Sequence, residues 1–504
     1  MADQLYIGID SGTQGCKVVV VSRSLGKVIA ESSSPHTLIE NERGGREQDP
    51  AVWVTALETA LESALSQSLH LVKDGQVKAI GVSGQQHGFV PLDRDGQVIR
   101  PAKLWCDTET VPQCTTITER LGGEEATIAA IGNTIAAGFT ASKILWLKEN
   151  EPENYRRLHT ILLPHDYLNY WLSGELSAEH GDASGTAFYD VRSRQWSQVA
   201  LSAIDPEKDL LAMLPPLRDP HQPAGRIRPE LAAKWNIPSD VLISSGGGDN
   251  MMAAIGTGNV SPGVVTASLG TSGTIYAHSD TPVIDSRGEL AAFCSSSGGW
   301  LPLVCTMNVT VATELVRNLF SLSLKEFTQT IAASHVGSGG ILLLPFFNGE
   351  RTPALPNGSA TLHGMSTTNF TKANLCRAAM EGVTFGLRYG MEVLERNAIA
   401  PNEIRLVGGG AKSPVWRQMV ADVFGTPVVS PLTTEAGALG SALQAMWCHE
   451  TTQGYKTTLC EICDRFIKLD QESRCQPDEG RRQQYGDIYL RYLLLEGELR
   501  RINS

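Results

Sequence analysis

The sequence predicts a two-domain α/β protein in which each domain is a mixed sheet flanked by helices. Its 504 residues exceed what one ordinary core organises. A strand, a tight glycine-rich turn and a second strand occur twice, half a chain apart. The first copy, YIGIDSGTQGCKVVVV, holds Gly12-Thr13-Gln14-Gly15, and the second, GVVTASLGTSGTIYA, holds Gly270-Thr271-Ser272-Gly273. Segments of helical periodicity separate these and the other apolar runs. The two domains are expected at residues 1–250 and 251–504.

The elements follow in order. Residues 5–30 read as a meander: an apolar strand, the first turn, Val18 to Val21, then VIAES after Gly26. A helix follows in AVWVTALETALESALSQSL, where Trp53, Leu57, Ala60, Leu61, Ala64 and Leu65 recur at helical spacing behind an Asp49-Pro50 start signal. VKAIGVSG reads as a strand running straight into Gln85, Gln86 and His87. GFTASKILWLKENEP reads as a helix ended by Pro152, and ILLPHDYLNYWLSGE as a strand entering another helix. Proline and charge between Pro206 and Pro238 suit surface loops leading to the domain junction. VLISSGGGDNMMAAIGTG then gives a strand, three glycines and Asp249. The second half supplies a helix (ATELVRNLF), a buried strand (GGILLLPFF), a long helix (NLCRAAMEGVTFGLRYGMEVLERN), a strand (EIRLVGGGA) and a helix (VWRQMVADVFG). The tail beyond Pro477 is charged and helical. Its stripe of Tyr485, Ile488, Tyr489, Tyr492 and Leu493 suits either a homodimer contact or packing within its own domain. Trp105, Trp146 and Trp171 sit in apolar patterns and read as core.

The bulk numbers narrow the function. A net charge of −12 disfavours a nucleic-acid partner, which would favour a basic face. No run approaches the ~20 apolar residues of a membrane span. The start, MADQLYIGID, has neither a basic nor an apolar leader region. Ten cysteines without framework spacing fit free thiols in a reducing compartment, so a cytoplasmic protein is expected. Cys460-x-x-Cys463, with Cys475 and Cys448-His449, completes no four-ligand zinc frame.

The turns carry the chemistry. Glycine lets the backbone come close to an anion, and successive N–H groups beside a hydroxyl form an anion-binding concavity. Two such turns, with Thr13 in the first and Gly270, Thr271 and Ser272 in the second, suit a phosphate chain gripped between related domains. Asp10 ends the first strand two residues before its turn, where a carboxylate suits hydrated Mg²⁺ on the phosphates and equally suits a turn cap. Asp249 follows three glycines, where it suits a general base toward an alcohol and equally an Asx-turn at a helix start. Gln86 and His87 stand at a strand end and can hydrogen-bond sugar hydroxyls, although a lone histidine is more often structural. Gly408-Gly409-Gly410-Ala411 joins a strand to a helix in a way that suits close approach to adenosine and equally suits plain tight packing. Neither a Walker A pattern nor a G-x-G-x-x-G in βαβ context is present.

With these residues in view, the chain resembles the FGGY carbohydrate kinases of the actin/hexokinase/heat-shock-chaperone superfamily, over nearly its whole length. The segments that carry the likeness are IGIDSGTQGCK, REQDP, GVSGQQHG, RPAKLWCD, GFTASKILWLKENEP, LLPHDYLNYWLSGE, GDASGTAFYDV, GGGDN, SLGTSGT, LPFFNGERTP and VGGGAKSPVWRQMVADV. Within the family it is most similar to the members that phosphorylate D-xylulose. The resemblance implies two ribonuclease-H-like domains with a cleft between them, and transfer of the ATP γ-phosphate to the 5-hydroxyl of D-xylulose. It implies Asp249 as catalytic base and Asp10 near Mg²⁺, which it holds through water, and the phosphates. Gln86, His87 and Asn250 would meet the sugar, the second turn the phosphates, and Gly409, Gly410 and Ala411 the adenosine. The chain departs from the pattern at Gln86, where many such members carry methionine. Rival readings are a kinase for another ketose or polyol, such as ribulose or glycerol, and a nucleotide-switched scaffold without catalysis.

Overall fold

Strands β1 (Gln4–Ser11), β2 (Gly15–Ser22) and β3 (Lys27–Pro35) form an antiparallel meander, as the glycine-turn pattern requires. The computed structural model describes residues 3–68 and 76–503; Leu69, the last residue of the expected first helix, lies outside them. Its chain packs as two compact units. The first joins Met1–Ser261, Ser279–Leu301 and Glu435–Ile467; the second joins Pro262–His278, Pro302–Thr434 and Lys468–Ser504.

In the first unit, β4 (Gln76–Gly84) runs parallel to β1, and β5 (Pro223–Arg226), β6 (Leu242–Ser244) and β7 (Gly247–Gly248) follow. The sheet order is β5-β6-β4-β1-β2-β3, with β7 also pairing β4. Alternation along the strands serves two faces. Leu5, Ile7, Ile9, Val18, Val20, Ile80 and Val82 pack against Trp53, Leu57 and Leu61 of the helix Pro50–Ser68. Asp49 starts that helix by accepting the Ala51 N–H at 2.9 Å. Tyr6, Val19, Val21 and Ala79 face the other way, toward Ala438, Leu439, Ala442 and Leu443 of the helix Ala436–Thr452. Each fully buried Val, Leu or Ile stabilises the fold by roughly 1.5–3 kcal/mol.

That second helix lies directly on the sheet backbone. A Cβ at Gly8 would stand 1.8 Å from the Ala438 carbonyl oxygen, and one at Gly81 2.1 Å from that of Ser441. Only glycine permits this approach. The expectation of a single boundary after residue 250 misses this return of the chain: 279–301 and 435–467 pack with the first unit. The reason is physical, because the apolar second face of the sheet must be covered.

Three further expectations are corrected. The Pro206–Pro238 stretch is not all loop: it supplies the edge strand β5, where proline is tolerated, and a helix Pro229–Trp235 that buries Leu231 and Trp235. Pro152 ends the helix Thr140–Asn150 and also opens the helix Pro152–Arg157. Of the three tryptophans read as core, Trp146 is buried and half-buried Trp171 packs against the core, whereas half-buried Trp105 gives its indole N–H to Thr13.

The second unit repeats the plan. Its strands are β8 (Val264–Leu269), β9 (Gly273–Ala277), β10 (Trp300–Thr306), of which Pro302–Thr306 belongs here, β11 (Glu403–Val407), β12 (Val428–Pro431) and β13 (Leu469–Cys475). They run in the order β10-β9-β8-β11-β12-β13, with β8, β11 and β12 parallel. Both units thus set an antiparallel meander beside parallel strands and close with an antiparallel edge. The tail helix Glu479–Asn503 buries Tyr485, Tyr489 and Tyr492 around Phe385 of the helix Lys372–Arg396, with ring centroids 6.1, 5.7 and 5.6 Å away. Packing inside the unit therefore consumes the tyrosines of the tail stripe. Among the described residues no helix is long and apolar enough to cross a membrane.

Candidate active site

Parallel pairing of β1, β4 and β7 brings three strand ends together in the first unit. Asp10 and Gly247 both pair with Ser83, and Ser11 and Gly248 both pair with Gly84. Asp10 accepts a 2.6 Å hydrogen bond from the Ser83 hydroxyl. Gly437, in the first turn of the Ala436–Thr452 helix, lies so close that a Cβ there would be 2.7 Å from the Asp10 Cγ. Burial raises the Asp10 carboxyl above its ordinary range, against the Ser83 hydrogen bond and the Lys17 charge.

Asp249 opens the helix Asp249–Gly256 directly after β7. Its Oδ1 accepts from the Asn250 backbone N–H at 2.7 Å and from Asn250 Nδ2 at 2.9 Å. Asn250 Nδ2 also donates to Gln86 Oε1 at 2.9 Å. Gln86 is 3 % exposed, and its Nε2 has no partner among the described residues. Burial pushes the Asp249 carboxyl up to about 7; the Asp10 charge adds to this, and the Asn250 hydrogen bonds oppose it. One carboxylate of tuned basicity and two side-chain amides therefore share one rim.

His87 adjoins this group with a left-handed backbone (φ 64°), its ring 4.6 Å from Phe139 and 5.6 Å from Phe293. Its carbonyl accepts from Lys143 Nζ at 2.6 Å, and the same ammonium donates to the Gly138 carbonyl at 2.6 Å. Burial brings the fully enclosed Lys143 amine down to about 7.

The first glycine turn closes through Gly12 N–H to the Gly15 carbonyl at 3.0 Å. Thr13 is bound into a polar chain: its hydroxyl donates to Gln85 Oε1 at 3.2 Å and accepts from Trp105 Nε1 at 2.9 Å. Gln85 donates in turn to Gln48, which Trp53 also binds. A hydroxyl has one proton. With it given to Gln85, the turn can offer an anion its backbone N–H groups but not that hydroxyl.

Beneath the rim lies a buried ionic cluster that the sequence reading did not single out. His165 Nδ1 meets Asp182 Oδ2 at 2.6 Å and His165 Nε2 meets Asp166 Oδ1 at 3.1 Å. Burial opposes charge on His165, but the carboxylates of Asp166 and Asp182 outweigh it and hold the imidazole well above its ordinary value. Glu179 accepts from the backbone N–H groups of Gly181 and Asp182. Among the described residues one carboxylate group, Glu47 with Asp107 and Glu109, is spaced for a metal ion. Lys103 Nζ already stands inside it, 3.1, 3.0 and 2.8 Å from the three carboxylates.

In the second unit, the turn Gly270–Gly273 is tied down by Thr310 N–H to the Gly270 carbonyl and Val309 N–H to the Thr271 carbonyl. Thr271 is exposed and Ser272 half-buried. Because β8 and β11 are parallel neighbours, Gly408 follows β11 beside the end of β8; a Cβ at Gly408 would stand 2.7 Å from the Leu269 carbonyl. Of the three residues expected at adenosine, Gly409 is exposed with open space before it, whereas Gly410 and Ala411 are buried.

A model of the FGGY family of carbohydrate kinases, N-terminal domain, matches residues 5–256, and one of its C-terminal domain matches residues 265–449. The chain belongs to this family. It is a carbohydrate kinase, and the second match ends inside the helix that covers the first unit's sheet. Among its relatives, a xylulose kinase of Haemophilus influenzae is 45 % identical over 97 % of this chain and 99 % of its own. The solved xylulose kinase of Bifidobacterium adolescentis is 32 % identical with a TM-score of 0.82, covering 96 % of this chain and 99 % of its own. A solved kinase of Brucella ovis, described as a xyloylose kinase, superposes with a TM-score of 0.91 at 27 % identity, covering 99 % of this chain and 100 % of its own.

Proposed function

We propose that the protein transfers the γ-phosphoryl group of ATP to the 5-hydroxyl of D-xylulose, giving D-xylulose 5-phosphate and ADP. The observation that carries this reading is the Asp249 carboxylate beside the Asn250 and Gln86 amides at the joined ends of β1, β4 and β7. Identity to a xylulose kinase over nearly the whole chain supports the choice of sugar.

In this reading the ketose hydroxyl gives its proton to Asp249 as its oxygen attacks the γ-phosphorus, and the γ-phosphoryl leaves the β-phosphate of ADP. Asn250 aims the carboxylate, since it holds Oδ1 from both its backbone and its side chain. Gln86 Nε2 donates to a sugar hydroxyl, and His87 donates to or accepts from another. Asp10 has Ser83 as its one hydrogen-bond partner among the described residues, which leaves an oxygen for a water of Mg²⁺. Bound there, Mg²⁺ would neutralise charge on the nucleotide phosphates. The backbone N–H groups around Thr13 and around Gly270, Thr271 and Ser272 receive phosphate oxygens, and exposed Gly409 receives adenosine, with Gly410 and Ala411 forming the packed floor of that turn. Ten free cysteines support a reducing compartment, the cytoplasm.

The test is ADP production on a panel of D-xylulose, D-ribulose, L-xylulose and glycerol. D-xylulose should give the highest kcat/KM. A higher value for any other member would replace the substrate assignment, and ATP hydrolysis indifferent to every sugar would remove the kinase reading.

A further inference from the structure

The turn that carries Asp249 is gripped by a side chain 195 residues further along the chain. Gln444, in the helix Ala436–Thr452, is fully buried. Its Oε1 accepts from the Ser244 hydroxyl at 2.8 Å and from the Gly246 N–H at 3.0 Å. Its Nε2 donates to the Ser245 hydroxyl at 3.1 Å and to the Gly246 carbonyl at 2.9 Å. A primary amide offers two acceptor sites and two N–H donors, and all four are used on three consecutive residues. Asn169 holds the same turn from the opposite side, donating to the Ser245 carbonyl at 2.9 Å.

An amide buried in a helix of alanines and glycines is costly unless satisfied. An apolar residue would fill the space without that risk. The hydrogen bonds instead define the path of Gly246, whose φ of 70° starts β7 and so aims Asp249. The same helix face touches the other carboxylate. Ser441, three residues earlier, donates to the Ile9 carbonyl at 3.1 Å, and Gly437 abuts Asp10.

We propose that Gln444 is a positioning residue for the phosphoryl transfer, holding the Ser244–Gly246 turn so that Asp249 keeps a fixed place relative to Asp10. One helix thereby registers both carboxylates. The inference rests on Asp249 being the catalytic base, so its test separates the two claims.

A double-mutant cycle of Asp249→Asn and Gln444→Met, measured on the full chain with D-xylulose and Mg-ATP, provides that separation. Gln444→Met should lower kcat about 10–100-fold with both KM values within about twofold, because misplacement weakens the transition state more than substrate binding. Placed on Asp249→Asn, the same change should remove nothing further. Unchanged kcat in Gln444→Met, or a full additional loss in the double variant, overturns the positioning role. Parent-like turnover of Asp249→Asn alone overturns the base assignment instead. If Gln444→Met does not fold, Ser244→Ala and Ser245→Ala each delete one of the four hydrogen bonds and should give smaller losses, absent on the Asp249→Asn background; losses that persist there overturn the proposal.

Discussion

Replacing Asp249 by asparagine should damage turnover and strengthen the fold together. Asparagine keeps an oxygen for the Asn250 N–H groups that now bind Oδ1, so the turn retains its hydrogen bonds. What it loses is the proton acceptor, and a positioned general base contributes about 10²–10⁴ in rate, or about 3–5 kcal/mol. What it gains follows from linkage. Burial lifts the carboxyl from 3.8 to about 7, so between those values the folded chain binds a proton that the unfolded chain has released. Stability from this group therefore falls as pH rises through that window. Above it, the buried carboxylate costs the fold on the order of 4 kcal/mol. Unliganded Asp249→Asn should then melt several degrees above the parent at pH 8, with the difference shrinking to nothing near pH 4. Thermal scans with chelator present, at both pH values, together with kcat and ATP affinity, make the test. A variant with kcat within threefold of the parent refutes the base role. One with lowered kcat but no melting gain at pH 8 refutes the burial argument.

Other outcomes follow from the same geometry. Because the base works as its carboxylate, kcat/KM for D-xylulose should rise with pH through a limb near 7; a limb near 4 would mean an ordinary, solvated acid. Gly81→Ala puts a methyl 2.1 Å from the Ser441 carbonyl, and should lower stability in urea by about 1–3 kcal/mol or more. A parent-like midpoint would show that the helix gives way freely. Trp105→Phe removes the Nε1 donor to Thr13 and should raise KM for ATP several-fold with little change in KM for the sugar; the reverse pattern would divorce the first turn from the nucleotide.

Local pattern was enough for what local pattern determines. The meander around Gly12, the strand entering Gln85 and the glycines before Asp249 stand as read, since each is a short-range matter of turn geometry and alternation. The juxtaposition of Asp249, Asn250 and Gln86 required only that strand ends gather, which parallel sheets enforce. What escaped was long-range. Nothing in EAGALGSALQAM says that this alanine- and glycine-rich helix returns to a sheet begun 430 residues earlier. Trp105 read as core because its neighbours are apolar, yet its indole N–H serves the first turn. Lys103 and the His165 cluster were invisible for a related reason. Buried charges announce themselves only through partners, and one partner of each, Glu47 for Lys103 and Asp182 for His165, comes from a separate element.

The covering of the first sheet by residues 436–466 has a consequence for biogenesis. While a ribosome is still making the middle of the chain, Tyr6, Val19, Val21 and Ala79 lack the late helix that packs on them. The nascent N-terminal half must carry a bare oily surface through most of its synthesis, longer than a domain finished in one stretch would. Chaperones that shield such surfaces should be found on these polysomes until the late helix emerges.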